Sequence, residues 1–211
     1  AEMTSQQKHE EIQYSCLEWV RSFIVNHNLC PWAQGSLRDL DFIVIDTRPS
    51  DSETLLIELK GLATKLVEAQ QVTGDPTIKS MLIAVPMYDK FDEFMQLSEE
   101  VDDMLENSEL DEHITFAKFH PEYRILGGEG KPLLPSICPK DYLYRSPYPL
   151  LHYTLTAEIE ASLHTSKYPL HELFKANVQK MAELSSQVGG TDGMQIMLER
   201  MKRGARWPEL L

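Results

Sequence analysis

The sequence holds only three cysteines, Cys16, Cys30 and Cys138. They are odd in number, widely spaced and form no CxxC pair, so they make no disulfide framework. A reducing compartment fits such a chain, and the cytoplasm is the expected location. An organellar stroma or matrix fits equally if a transit peptide has been removed. Long apolar runs are also lacking. None approaches the roughly 18 residues needed to span a bilayer, and the polar start AEMTSQQKHEEIQ has no secretory h-region. Basic residues are few: 20 Lys and Arg face 33 Asp and Glu, for a net charge of −13. Phosphate backbones bind through Lys and Arg. Nucleic acid and anionic membranes are therefore not expected partners, and Lys202, Arg203 and Arg206 are the one basic exception. Motifs for zinc proteases, serine hydrolases and EF-hands are missing, and so are internal repeats.

What remains is ordinary globular composition, with 42% hydrophobic and 25% charged residues. It suits a single domain over 1–211, with an alternating helix and strand core at 1–120, a long functional loop at 121–149 and a helical part at 150–211. Residues 4–28 carry Ile12, Cys16, Trp19, Val20, Phe23 and Ile24 at steps of three and four, which predicts an amphipathic helix. Pro31 is suited to a first helical position, which would put Cys30 at the N-cap of a short second helix. DFIVID at 41–46 predicts a strand. Ser50 or Asp51 is expected to cap a helix running to about Glu68. Gly74-Asp75-Pro76 marks a turn. SMLIAVP at 80–86 predicts a strand buried on both faces. A helix is expected over 91–105 and a strand over 114–119.

This alternation predicts an α/β fold, or an α+β ferredoxin-like one. A small central sheet of three or more strands with parallel pairs would be packed by helices, with a helical C-terminal part. Helices are expected over 150–163 and 170–184. Gly189-Gly190 should break the second, and Asp192 should cap a last helix to Met201.

The stretch from Phe116 to His152 organises the rest. A connection this long is unusual in a compact domain and is usually functional or disordered. Its aromatics, two histidines and an arginine argue against disorder. Three chemically capable residues are each followed by proline: Cys30-Pro31, His120-Pro121 and Ser146-Pro147. Proline holds the preceding residue extended, at an element boundary, where functional side chains are often displayed. Such pairs also simply punctuate structure.

Cys30 at a helix start would have a lowered pKa, suiting a nucleophile, a redox thiol or a metal ligand; the plain alternative is a core residue. Cys16 reads as core, and Cys138 as a second candidate thiol. His120 at a strand end suits a general base or a ligand. His152 is expected in the first turns of a helix, as a base or as a backbone-satisfied histidine. Arg145 suits a bidentate anion contact or a clamp on its own loop. The remaining histidines read as surface. Gly127 to Gly130 fits no phosphate-loop spacing.

Three motifs together resemble the DUF1415 family of bacterial and plant proteins. They are Asn28-Leu29-Cys30-Pro31-Trp32-Ala33, Phe119-His120-Pro121-Glu122-Tyr123, and Arg145-Ser146-Pro147-Tyr148-Pro149-Leu150-Leu151-His152. They match the family pattern in order, over more than half of the chain. Trp32 replaces the usual phenylalanine, and the approach to Arg145 around residues 141–144 is altered. After His152 the usual leucine-arginine-glutamate run becomes Tyr153-Thr154-Leu155, which suggests a diverged member. The resemblance implies a grouping of Cys30, His120, Arg145 and His152, and no established reaction.

Three readings follow. In the first, the chain is an enzyme, such as a thiol-dependent hydrolase or transferase, acting on a small polar or anionic molecule. Cys30, His120 and His152 would do the chemistry, and Arg145, Ser146, Tyr148, Tyr123 and Asn28 would bind the small-molecule ligand. In the second, Cys30, His120 and His152 hold zinc with one position open. In the third, the aromatic loop grips a partner without catalysis, using Tyr123, Tyr142, Tyr144, Tyr148 and Tyr153.

Overall fold

The computed structural model describes residues 3–30, 33–46, 52–74, 76–127, 131–165 and 169–207. The expected roles of Pro31, Trp32, Ser50, Asp51, Asp75 and Gly128 to Gly130 lie outside these residues. Helix α1 spans Ser5–Trp19. Thr4 opens it with a capping box: its hydroxyl accepts from Gln7 N–H at 3.2 Å, and Gln7 Oε1 accepts from Thr4 N–H at 2.9 Å. The helix then widens into a π segment, Val20–Val25. Asn26 N–H bonds to Arg21 O and Leu29 N–H to Ile24 O, both five residues back. Next come α2 (Ala33–Ser36), β1 (Leu40–Val44), α3 (Ser52–Thr73), β2 (Ser80–Ala84), α4 (Phe91–Asn107) and β3 (Ile114–Phe119). A 3₁₀ turn at Pro139–Leu143 interrupts the long connection. It is followed by β4 (Leu150–Leu155), α5 (Thr156–Thr165), α6 (Leu170–Val188) and α7 (Gly190–Lys202).

This is a mixed α/β fold with a helical C-terminal part. Its four strands run in the order β1-β2-β4-β3. β1 and β2 are parallel, with Leu40 opposite Ser80, and β2 and β4 are antiparallel, with Ala84 opposite Leu150. β2 is buried along its whole length, as its unbroken apolar run predicts.

One expectation is overturned here. Residues 150–155 form a strand, and the helix begins only at Thr156. His152 therefore sits in the middle of β4, opposite Leu82. The apolar run is too short for its period to separate helix from strand. Sheet pairing decides it: strand alternation sends Leu151, Tyr153 and Leu155 together into the core.

The chain gathers into two compact units, each built from separate stretches. One holds 32–118 and 149–165, the other 1–31, 119–148 and 166–211. The first contains the sheet. Its core joins Leu55, Leu59, Ala63 and Leu66 of α3, Phe94, Leu97 and Val101 of α4, and Met81, Ile83, Leu151 and Tyr153 of the sheet. The second is helical. Ser15 Oγ of α1 donates to Lys202 O at 3.1 Å, Glu18 pairs with Arg206 at 2.9 Å, and Trp207 N–H donates to Ser22 Oγ at 3.1 Å, so the segment after α7 lies back along α1. Gly189, at φ 93°, ends α6 as the double glycine predicts. The last helix starts at Gly190, so Asp192 falls in its first turn instead of capping it. Among the described residues no helix is long and apolar enough to cross a membrane.

Candidate functional site

The site is built in the helical unit, from residues 119–148. β3 ends at Phe119, whose ring meets Trp19 edge-on at 5.4 Å. Pro121 then favours a turn. His120 O accepts from Tyr123 N–H at 3.0 Å, and His120 N–H donates to Tyr144 O at 3.1 Å. The His120 ring is fully buried, and its Nδ1 accepts from Glu122 N–H at 3.0 Å. A ring nitrogen that accepts carries no proton, so neutral His120 holds its proton on Nε2.

Asp141 ties the loop together. Its buried carboxylate accepts from Ile125 N–H at 3.0 Å, from Cys138 N–H at 3.0 Å and from Cys138 Sγ at 3.4 Å, and Arg124 Nε stands 3.5 Å away. Arg124 Nη2 also donates to Leu134 O at 2.7 Å. Burial and the neighbouring carboxylate push the Cys138 thiol pKa up, so it is a weak nucleophile at neutral pH.

Arg145 is 3% exposed. Its Nε donates to Tyr123 O at 3.0 Å and its Nη1 to Gln195 Oε1 at 2.8 Å, and the guanidinium lies 4.9 Å from the centre of the Tyr142 ring. Tyr142 is buried too, and its hydroxyl bonds Thr191 O at 3.0 Å and Gln195 Oε1 at 3.2 Å. Burial lowers the Arg145 pKa from its ordinary value. Among the described residues no carboxylate comes within 4.0 Å of the guanidinium. The rings of Tyr123 and Tyr144 stack at 5.1 Å.

The structure thus brings together His120, Tyr123 and Arg145. Ser146 is buried, and its hydroxyl donates to Tyr148 O, closing its own turn. Tyr148 is half-buried, with Lys202 Nζ 5.2 Å from its ring centre. Burial, then Glu11 and Cys16, raise its pKa.

Asn28 and Cys30 are held from α6: Lys180 Nζ donates to Asn28 O at 2.9 Å and Asn177 Nδ2 to Leu29 O at 2.6 Å. Cys30 is half-buried. The expected N-cap role of Cys30 turns on Pro31 and Trp32, which lie outside the described residues. Cys16 is buried, which drives its thiol pKa upward.

His152 belongs to the sheet unit. Its Nε2 lies 3.2 Å from Thr154 Oγ1, and burial lowers its pKa to about 4, so it is neutral at pH 7. Among the described residues no three His, Cys, Asp or Glu side chains gather to hold a metal. Tyr142, one of the aromatics suited to gripping a partner, is spent inside the fold.

Sequence reasoning missed Asp141, Gln195, Asn177 and Lys180. Asp141 had a local signal: it stands three residues after Cys138 with Pro139 between, the spacing of a capping acid. The others act across 50 residues or more of sequence and leave no local mark. His27, read as surface, is half-buried, with its ring beside Phe23 and Trp207.

No curated protein and no solved structure matches the chain. A family model does, over residues 11–189 of the 211. That match takes in all three X-Pro motifs and the segments that carry His120, Asp141 and Arg145, and the chain belongs to the family described as protein of unknown function (DUF1415).

Proposed function

We propose that the chain is an enzyme that binds a small anionic molecule at Arg145 and acts on it through the Cys30 thiol. The observation that carries this reading is the state of Arg145. It is a buried guanidinium, 3% exposed, whose two hydrogen bonds go to neutral oxygens. Buried charges are normally paired. The nearby Asp141 is committed to Arg124 and to backbone N–H groups. An anion beside the guanidinium would supply the missing charge. His120 Nδ1 already accepts from Glu122 N–H, which disfavours the role of general base expected for it. Cys30 keeps the part of nucleophile or redox thiol, and a reducing cytoplasm suits it. The net charge of −13 speaks for a small ligand over nucleic acid.

The test is protection of Cys30 from alkylation. Iodoacetamide labelling is followed by mass spectrometry while phosphate, acetate and malonate are added in turn. At least one anion is expected to slow Cys30 labelling and to raise the melting temperature, and both effects should vanish in Arg145→Gln. Cys16 should stay unlabelled until unfolding. If no anion protects Cys30 in the folded wild-type chain, Cys30 and Arg145 do not share a site and the reading is wrong.

A further inference from the structure

The end of the π segment holds a second cluster, apart from Arg145. Asn28 has φ 48°, in the left-handed region, and turns the chain out of the helix. α6 grips the two carbonyls that follow His27, through Lys180 on Asn28 O and Asn177 on Leu29 O. The segment after α7 brings in Trp207, whose ring lies 4.6 Å from Phe23 and 6.2 Å from His27.

Three side-chain atoms here are buried and make no hydrogen bond among the described residues: His27 Nε2, Asn177 Oδ1 and Trp207 Nε1. Asn177 is 8% exposed and Trp207 3%. Native interiors leave few such atoms, and three in one neighbourhood call for a reason. The Asn177 amide cannot be reversed, because its nitrogen is committed to Leu29 O and the swap would set oxygen against oxygen. The cluster reaches the surface, since His27, Cys30 and Lys180 are half-buried and Asn28 is exposed.

We infer that this cluster is a binding point for a primary carboxamide, whose N–H would go to Asn177 Oδ1 and whose oxygen would accept from Trp207 Nε1–H and the Lys180 ammonium. One amide group carries both the donor and the acceptor that these atoms lack. A carboxylate would satisfy Trp207 and Lys180 but would face Asn177 Oδ1 with a second acceptor. His27 fits either partner as a neutral ring, since burial and Lys180 lower its pKa.

Nitrogen-15 NMR of the full chain tests this. The indole N–H signals of the tryptophans are separate probes, and Trp207 is identified by its loss in Trp207→Phe. Acetamide is expected to move the Trp207 signal saturably and to leave Trp19 in place. Acetate should bind about tenfold more weakly. Asn177→Leu should erase the preference for acetamide, and the more exposed Lys180→Gln should weaken acetate more than acetamide. A Trp207 signal that acetamide does not move, or that acetamide and acetate move alike, would mean bound water only and would overturn the inference. Arg145→Lys should leave acetamide binding intact, so the outcome is separable from that of the anion site.

Discussion

The two units bury different things. In the sheet unit the interior is mainly apolar side chains, and among the described residues its buried polar ones are Ser80, Ser98 and Thr154, with the Tyr153 hydroxyl. The helical unit buries Glu18, His120, Asp141, Arg145 and Asn177 as well. Apolar burial is non-directional and tolerates exchange of similar volumes. A buried charge or amide is held only by partners at set positions, and its loss leaves another group stranded. The sheet unit is therefore organised for stability, whereas the helical unit spends stability on fixed polar geometry. Function is to be sought where that geometry is.

This contrast can be broken by substitution. Phe94→Ala removes a ring with no exposed surface from the sheet unit, and about 4 kcal/mol of stability should go with it, measured by chemical unfolding. Asp141→Ala should cost about 3 kcal/mol, because it strands two part-buried N–H groups and Arg124 together. Hydrogen exchange should show its first effect at Ile125 and Cys138. If Asp141→Ala is as mild as an exposed substitution, the polar network does not support the loop.

The third prediction concerns pH. The His152 pKa falls from the usual 6.5 to about 4 on folding. Above pH 6.5 the ring is neutral in both states and stability is unaffected. As pH falls below 6.5 the unfolded chain takes the proton first, so stability drops, by about 3 kcal/mol once pH passes 4. His152→Gln should flatten this fall between pH 6.5 and 4, read from melting temperatures across that range. A wild-type slope that the substitution leaves unchanged would assign the titration to other groups. The smallest effect is expected at Thr4→Ala, which removes the α1 capping box and should cost about 1 kcal/mol.

How much of this was legible in the sequence follows the same division. The periodicity of α1, α3 and α4 and the apolar run of β2 mark the elements to within a few residues, because burying one face is a local property of the pattern. β3 is legible in full. β4 is not, because a six-residue apolar run takes its conformation from the strands beside it. The Cys, His and Arg of the three proline motifs could be named as candidates. Their partners could not: Gln195 meets Arg145 from α7, and Asn177 reaches Leu29 across 148 residues of chain. The π segment was invisible too, since Val20–Val25 continues the apolar spacing of the helix before it.

The strand order carries a consequence for synthesis. β2 has β1 on one side and β4 on the other, and β4 also separates it from β3. A nascent chain that has emerged only as far as Tyr148 has three of the four strands and no way to join β3 to the rest. Until Leu150–Leu155 leaves the ribosome, β2 presents an open, largely apolar edge, the kind that invites pairing with another chain. The sheet closes late, and residues 150–155 are the bolt that closes it.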